Sequence, residues 1–468
     1  MPRLLPSLCL GALLAAGCLR APAAPPAHRG SGDWSFEVTV GPDARELTVT
    51  ADLAPGSGEE LSVDTEAEPF VQEVQLLTPS GWSPLPPDGT SWRAPACRSG
   101  CRLRYRFQLA RAAQAIDDIE RAARIRDAFF APPSTWLLHP IQQTTVGRWS
   151  LKVGGTSPFH SGLLPGASGY EAATDDLAGS PYSAFGGFET RTLAFPGGKL
   201  EVAMPPGVFD DQERAEIERW ARRAGEAIVG VYGHFPLPRA LLFVLEGEAP
   251  GVGFGRTLGN GGASILVSVG HPARRAELQG DWMLPHELIH LAFPSVPAHQ
   301  SWMEEGLSTY IEPVARARAG QLPEEELWRD FILSMPQGQP EPGDQGLDRT
   351  ATWGRTYWGG ALFCLQADVE IRKRTDNRRT LLDALQAINE ADGNVMHRWP
   401  LERALDLGDQ ATGTTVLKEL HQRHGTHPVT VDLEALWSAL GVRLRGGRLL
   451  FDDTAPLASL RRAITRRP

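Results

Sequence analysis

Pro285-His286-Glu287-Leu288-Ile289-His290 is a His-Glu-x-x-His box, and Trp302-Met303-Glu304-Glu305-Gly306-Leu307-Ser308-Thr309-Tyr310 follows it. Helical residues four apart share a face, so His286 and His290 can offer two imidazoles to one metal ion. Glu287 sits about 100° round the same helix and can reach a water beside the metal rather than the metal itself. A carboxylate from a second helix would complete three protein ligands and leave a fourth position open. That is the pattern of a catalytic zinc, whereas structural sites are closed by four protein ligands. A solvated amphipathic helix with two chance histidines would explain the box alone, but not the segment that follows it.

Glu304 and Glu305 compete for the place of third ligand. Ser301-Trp302-Met303-Glu304 has the spacing of a capping box, which predicts that Glu304 reaches back to the Ser301 N–H. Glu305 is then the residue free to face the first helix. Gly306 costs a helix roughly 1 kcal/mol relative to alanine, so it marks a close approach of another backbone. Thr309, on the same face as Glu305, is expected to hydrogen-bond that ligand from outside the metal shell. The expected cofactor is one Zn2+ per chain.

His286-Glu287-x-x-His290 with Trp302-x-x-Glu305-Gly306-x-x-Thr309-Tyr310 resembles the gluzincin metallopeptidases. It is most similar to the glycyl aminopeptidase family and, more distantly, to the aminopeptidase N and leukotriene A4 hydrolase families. The resemblance implies that Glu305 is the third zinc ligand and Glu287 the general base. It also implies that Tyr357, in Thr356-Tyr357-Trp358-Gly359-Gly360-Ala361-Leu362-Phe363, stabilises the oxyanion. Two departures stand out. The connection from His290 to Glu305 is shorter than in the aminopeptidase N relatives, and Pro294 and Pro297 stiffen it. The Gly-rich stretch 251–267, where those relatives carry a glutamate for the substrate amine, holds no acid. Glu246, Glu248 and Asp281 are the nearest substitutes. Within this stretch Gly261, Gly262 and Ala263 are candidate substrate-binding residues, and 264–269 is expected to be the edge strand that pairs with substrate backbone.

Arg3 precedes an apolar run, residues 4–16, too short to span a bilayer but suited to a signal-peptide core. Leu14-Ala15-Ala16-Gly17-Cys18 resembles a bacterial lipoprotein cleavage box, so 1–18 reads as a leader and Cys18 as the lipidated residue. Residues 19–32, rich in Pro and Ala, read as a flexible tether. Export to the cell envelope on a lipid anchor is the expectation, with soluble secretion as the alternative. An oxidising compartment also suits a disulfide across Cys97-Arg98-Ser99-Gly100-Cys101. Cys364, in an apolar helix, reads as a buried thiol.

A net charge of −10 argues against a nucleic-acid partner. Apolar content of 42% and 22% charged residues allow two or three globular domains. Two-residue alternation in 34–53, 71–77 and 101–109 predicts strands, and 33–195 reads as an antiparallel β-sandwich. Residues 211–232 have helical periodicity, and 240–245 reads as a strand. By resemblance, 196–378 is a thermolysin-like catalytic domain, followed by a helical region, 379–468. The fold class is α+β. Residues 111–126 are expected to form an exposed helix, and His421, His424 and His427 a solvated helix end. The expected activity is zinc-dependent hydrolysis of peptide bonds in peptides or small proteins, as an aminopeptidase. The alternatives are a non-catalytic binding protein on the same fold and a zinc hydrolase of a non-peptide substrate.

Overall fold

The structure is a computed structural model that describes residues 32–143, 146–167 and 169–467. The leader 1–18 with Cys18, and the tether up to residue 31, lie outside the described residues. Alternation shapes the first strands. In Trp34–Val40 (β1), Trp34, Phe36, Val38 and Val40 are buried while Glu37 and Thr39 face out. Leu47–Leu53 (β2) repeats the pattern. Val71–Thr78 (β3), Gly81–Pro84 (β4), Cys101–Phe107 (β5), Arg148–Gly155 (β6), Pro165–Gly166 (β7) and Gly169–Ala173 (β8) complete an eight-stranded sheet, in the order β7-β8-β6-β1-β2-β5-β3-β4. Its pairs are antiparallel except β1 with β6, which run parallel. Smaller three- and four-stranded sheets accompany it. Cys97 and Cys101 are joined by a disulfide beside β5, and Cys364 is buried.

The helix expected over 111–126 is shorter. It spans Leu109–Ile116 and ends at Asp117, whose left-handed backbone (φ 46°) stops it, and Ala123–Ile125 is a strand. Ala112 and Ala113 are buried, so the segment is not an exposed face.

A second sheet positions the site. Glu189–Phe195 (β9), Gly198–Met204 (β10), Arg239–Gly247 (β11), Val252–Leu258 (β12) and Ser264–Gly270 (β13) lie in the order β9-β10-β11-β13-β12. Asp211–Tyr232 (α1) starts at a capping box made by Asp210 and Glu213 and ends at Gly233 in the left-handed region (φ 78°). The run from Ala240 to Leu245 is buried throughout because β11 is covered on both faces. Leu242 and Val244 join the helical core. Leu241, Phe243 and Leu245 pack with Phe130, Tyr182 and Ala184 of the N-terminal region. Residues 264–269 form a strand as expected, but not the edge. β13 lies between β11 and β12, and β12 is the edge because it folds back antiparallel on β13.

Met283–His290 (α2), Trp302–Arg318 (α3), Glu324–Ser334 (α4) and Gly360–Arg374 (α5) lie beyond the sheet, with a π-helical turn, Arg355–Gly359, leading into α5. The remaining chain is helical apart from a hairpin, Val442–Arg445 with Arg448–Phe451. His427 is exposed as expected, but His421 and His424 differ from expectation. His421 stacks on Trp302 and its Nε2 lies 3.0 Å from Asp348. His424 is buried, and burial pulls its imidazole down to about 4. Tertiary packing against α3 and α5 claims this helix end.

Candidate active site

The His286 Nε2 and His290 Nε2 atoms lie 3.3 and 3.5 Å from one oxygen, Oε2 of Glu305. One ligand atom from each of the three residues falls within 4.8 Å of the others. Ligand atoms ~2.0–2.1 Å from a tetrahedral zinc stand about 3.3 Å apart, so this donor set fits a zinc ion. Burial lowers His290, but Glu305 outweighs it and lifts the imidazole to about 9. Burial raises Glu305, and the two imidazoles overcome it and hold the carboxyl well below its ordinary range. A preformed cluster of this kind favours binding of a cation between the groups.

Two glycines allow the helices to meet. A Cβ on Gly306 would fall 2.2 Å from the Gly360 Cα, and one on Gly360 would fall 2.2 Å from the Trp302 carbonyl oxygen. The close approach expected at Gly306 is therefore made by the start of α5. It brings the π-helical turn, with Tyr357, over the box. The Tyr357 ring stacks on His286 with centroids 6.3 Å apart. Burial, reinforced by Glu305 and Glu287, pushes its phenol up to about 12.

The capping box expected at Ser301 does not form. Ser301 is already helical (φ −57°, ψ −19°) because a short 3-10 turn, Ala298–Gln300, feeds into α3, and an N-cap needs extended backbone. Glu304 instead accepts the Val296 N–H at 2.8 Å, across the connection from α2. It therefore has a structural partner, though not the expected one, and Glu305 is the carboxylate that faces the histidines. Thr309 also departs from expectation. Its hydroxyl donates to the Glu305 backbone carbonyl at 2.7 Å, the usual i−4 bond of a helical threonine, and not to the carboxylate.

Glu287 is 6% exposed. The Thr257 hydroxyl lies 2.7 Å from Glu287 Oε2 and 3.0 Å from the Glu287 carbonyl, and its single proton serves one of them at a time. Two residues earlier on β12, a Cβ on Gly255 would meet Met283 at 2.6 Å and the Glu287 Cγ at 2.9 Å. Thr257 escaped the sequence reading. A glycine inside a strand with a polar residue two positions on is the signal that could have found it, since both face the same side.

Gly261, Gly262 and Ala263 offer no free edge to a substrate. The Gly261 N–H donates to the Met396 carbonyl and its own carbonyl accepts from Leu164. Ala263 is bonded in the same way to Gly162 and Leu241. Gly262 bridges Leu163. All three join the sheet to the N-terminal region, and the available edge is β12.

The acids suggested for an amine anchor are mostly committed elsewhere. Glu246 pairs with Arg126 at 2.7 Å. Asp281 accepts the Met283 and Leu284 N–H groups and the Trp220 indole. Glu248 is exposed beyond the end of β11. The charged residue on the edge strand is Arg256, 3.3 Å from Glu120 of the N-terminal region. Tyr182 senses both. Burial chiefly raises its phenol, Glu120 and Glu287 add to that, and Arg256 opposes it.

No family model and no curated protein matches the chain. Solved structures do. An aminopeptidase N family protein from Idiomarina loihiensis is 14% identical with a TM-score of 0.63, over 88% of this chain and 79% of that one. An M1 zinc metallopeptidase from Deinococcus radiodurans is 13% identical with a TM-score of 0.50, over 86% and 95%. A mutant of the latter, bound to a Tyr-Ser-Ala substrate, gives the same TM-score and identity. At this identity the likeness shows the fold alone, one that this chain shares with these proteins.

Proposed function

We propose that this protein is a zinc-dependent peptidase of aminopeptidase type, with His286, His290 and Glu305 holding the metal. The observation that carries this reading is the convergence of both Nε2 atoms on one oxygen of Glu305, with Glu287 on the same helix and Tyr357 stacked above. His286, His290 and Glu305 would hold a zinc ion, which would supply Lewis acidity towards a carbonyl and a nearby water. Glu287 takes a proton from the attacking water and delivers it to the leaving amine. Thr257 orients the Glu287 carboxylate through its 2.7 Å contact. The Tyr357 hydroxyl, with its phenol at about 12, stays protonated at neutral pH and can donate to the developing oxyanion. The β12 edge offers backbone groups to an extended peptide.

Metal analysis beside a chelator-sensitive assay of free and N-blocked peptides tests the reading. About one zinc per chain and chelator-reversible cleavage are expected; a metal-free protein without peptidase activity would overturn it. With no acid on β12, the free amine lacks the usual anchor, and a buried charge gains only where it is paired. The preference for a free over an acetylated amine should therefore stay below ~100-fold, about 2.7 kcal/mol. Export as a lipoprotein through Cys18 belongs to the same proposal. Cys18→Ser should lose fatty-acid label and leave the membrane fraction.

A further inference from the structure

A cavity of about 500 Å³ opens beside His286 and Tyr357, away from β12, between α2, α3, α4 and the π-helical turn. Trp282 and Trp353 line it and are 52% and 61% exposed. Large aromatics left in water on two sides of one cavity mark a binding surface rather than core. Its charges are unbalanced. Glu312 and Arg316 are buried and paired at 2.8 Å, and Arg316 also donates to the Gly280 carbonyl; burial pushes the Glu312 carboxyl up to about 7. Glu326 and Asp330 are four apart on α4 and line the exposed rim of the cavity. Among the described residues neither is in an ion pair. Burial and then Glu326 raise Asp330, and Arg329 and Arg316 only partly offset them. Arg329 does not line the cavity.

We propose that this cavity accepts a long cationic side chain, lysine or arginine, from the residue beside the cleaved bond. The inference rests on the peptidase reading above and names its substrate class. The aliphatic stem lies along Trp282 and Trp353, whose ring faces also attract the cation. The charged head meets Glu326 and Asp330. An apolar side chain of the same length gains the stem contacts but no ion pair, since both carboxylates stay hydrated, and an acidic one is repelled.

The test is binding to the zinc-loaded Glu287→Gln protein, read by tryptophan fluorescence, of Ala-Lys-Ala, Ala-norleucine-Ala and Ala-Glu-Ala. The lysine peptide should bind about tenfold tighter than the norleucine peptide, and the glutamate peptide weakest. In E326Q/D330N the lysine peptide should fall to the norleucine level. D330K should favour the glutamate peptide, a reversal that misfolding cannot produce. Equal binding of lysine and norleucine peptides, or a preference that survives E326Q/D330N, would overturn the proposal. Cleavage of Ala-Lys-Ala and Ala-norleucine-Ala by the unsubstituted, zinc-loaded protein reports separately on the peptidase reading. Cleavage without a charge preference sinks the cavity assignment alone, and a charge preference without cleavage sinks the peptidase reading alone.

Discussion

The helices α2 and α3 and the edge strand β12 are two walls around Glu287, and they are built differently. The helix wall holds groups that are buried, close and mutually dependent. His286 and His290 share one oxygen of Glu305, and α3 meets the start of α5 through glycines that leave no room for a methyl group. The strand wall is open. Its polar tie to Glu287 is Thr257, with Gly255 packed close beside it, and its one charge, Arg256, is half-exposed and paired with a half-exposed Glu120. Buried groups that depend on one another make large contributions, and exposed pairs make small ones. Catalytic power should therefore reside in the helix wall, with the strand wall adjusting how substrate lies.

The largest expected effect is Glu305→Ala, which should strip zinc and reduce activity to background. Glu304→Ala should keep the metal and mainly cost stability, because it leaves the Val296 N–H without its partner. Zinc retained in the first variant and lost in the second would move the ligand by one residue and undo the account of this wall.

Next in size is Glu287→Gln, which keeps shape and metal but removes proton transfer, so turnover should fall at least ~10²-fold. Tyr357→Phe should cost about 10²-fold, in line with other oxyanion donors, with metal content unchanged. Steady-state kinetics with zinc analysis on the same samples separates loss of chemistry from loss of metal.

The strand wall should respond less. Thr257→Val removes one hydrogen bond, worth about 1 kcal/mol, and should lower turnover roughly fivefold. Arg256→Ala breaks an exposed pair and should change activity less than threefold on neutral peptides. If either costs as much as Glu287→Gln, the contrast between the walls is wrong. Gly306→Ala returns to the first wall, through packing alone. The new methyl group would meet the Gly360 backbone, and overpacking of about 1–3 kcal/mol should lower the melting temperature.

Much of the fold was legible because it is written in short-range periodicity. The two-residue alternation of 34–53 and the helical period of 211–232 gave β1, β2 and α1, since burial of one face needs only local spacing. The His286, His290 and Glu305 cluster was legible for the same reason: the histidines are four apart on one helix, and Glu305 follows at the start of the next. The reading faltered wherever a partner came from far along the chain. Glu304 bonds Val296, not Ser301, and His421 docks on Trp302 and Asp348. Residues 111–126 end their helix early at a left-handed Asp117.

The sequence by itself determined the grouping of His286 with His290 on one helix and the alternation between strands and helices, because each depends on neighbours a few residues apart. Only the tertiary structure decided that β12 and not β13 is the free edge, and that Gly261–Ala263 are sealed against the N-terminal region. It alone decided that Thr257 reaches Glu287, and that a cavity with two unpaired carboxylates opens beside Tyr357. Sheet order, and the contacts between distant segments, depend on which surfaces bury the most apolar area together, and spacing along the chain does not encode that.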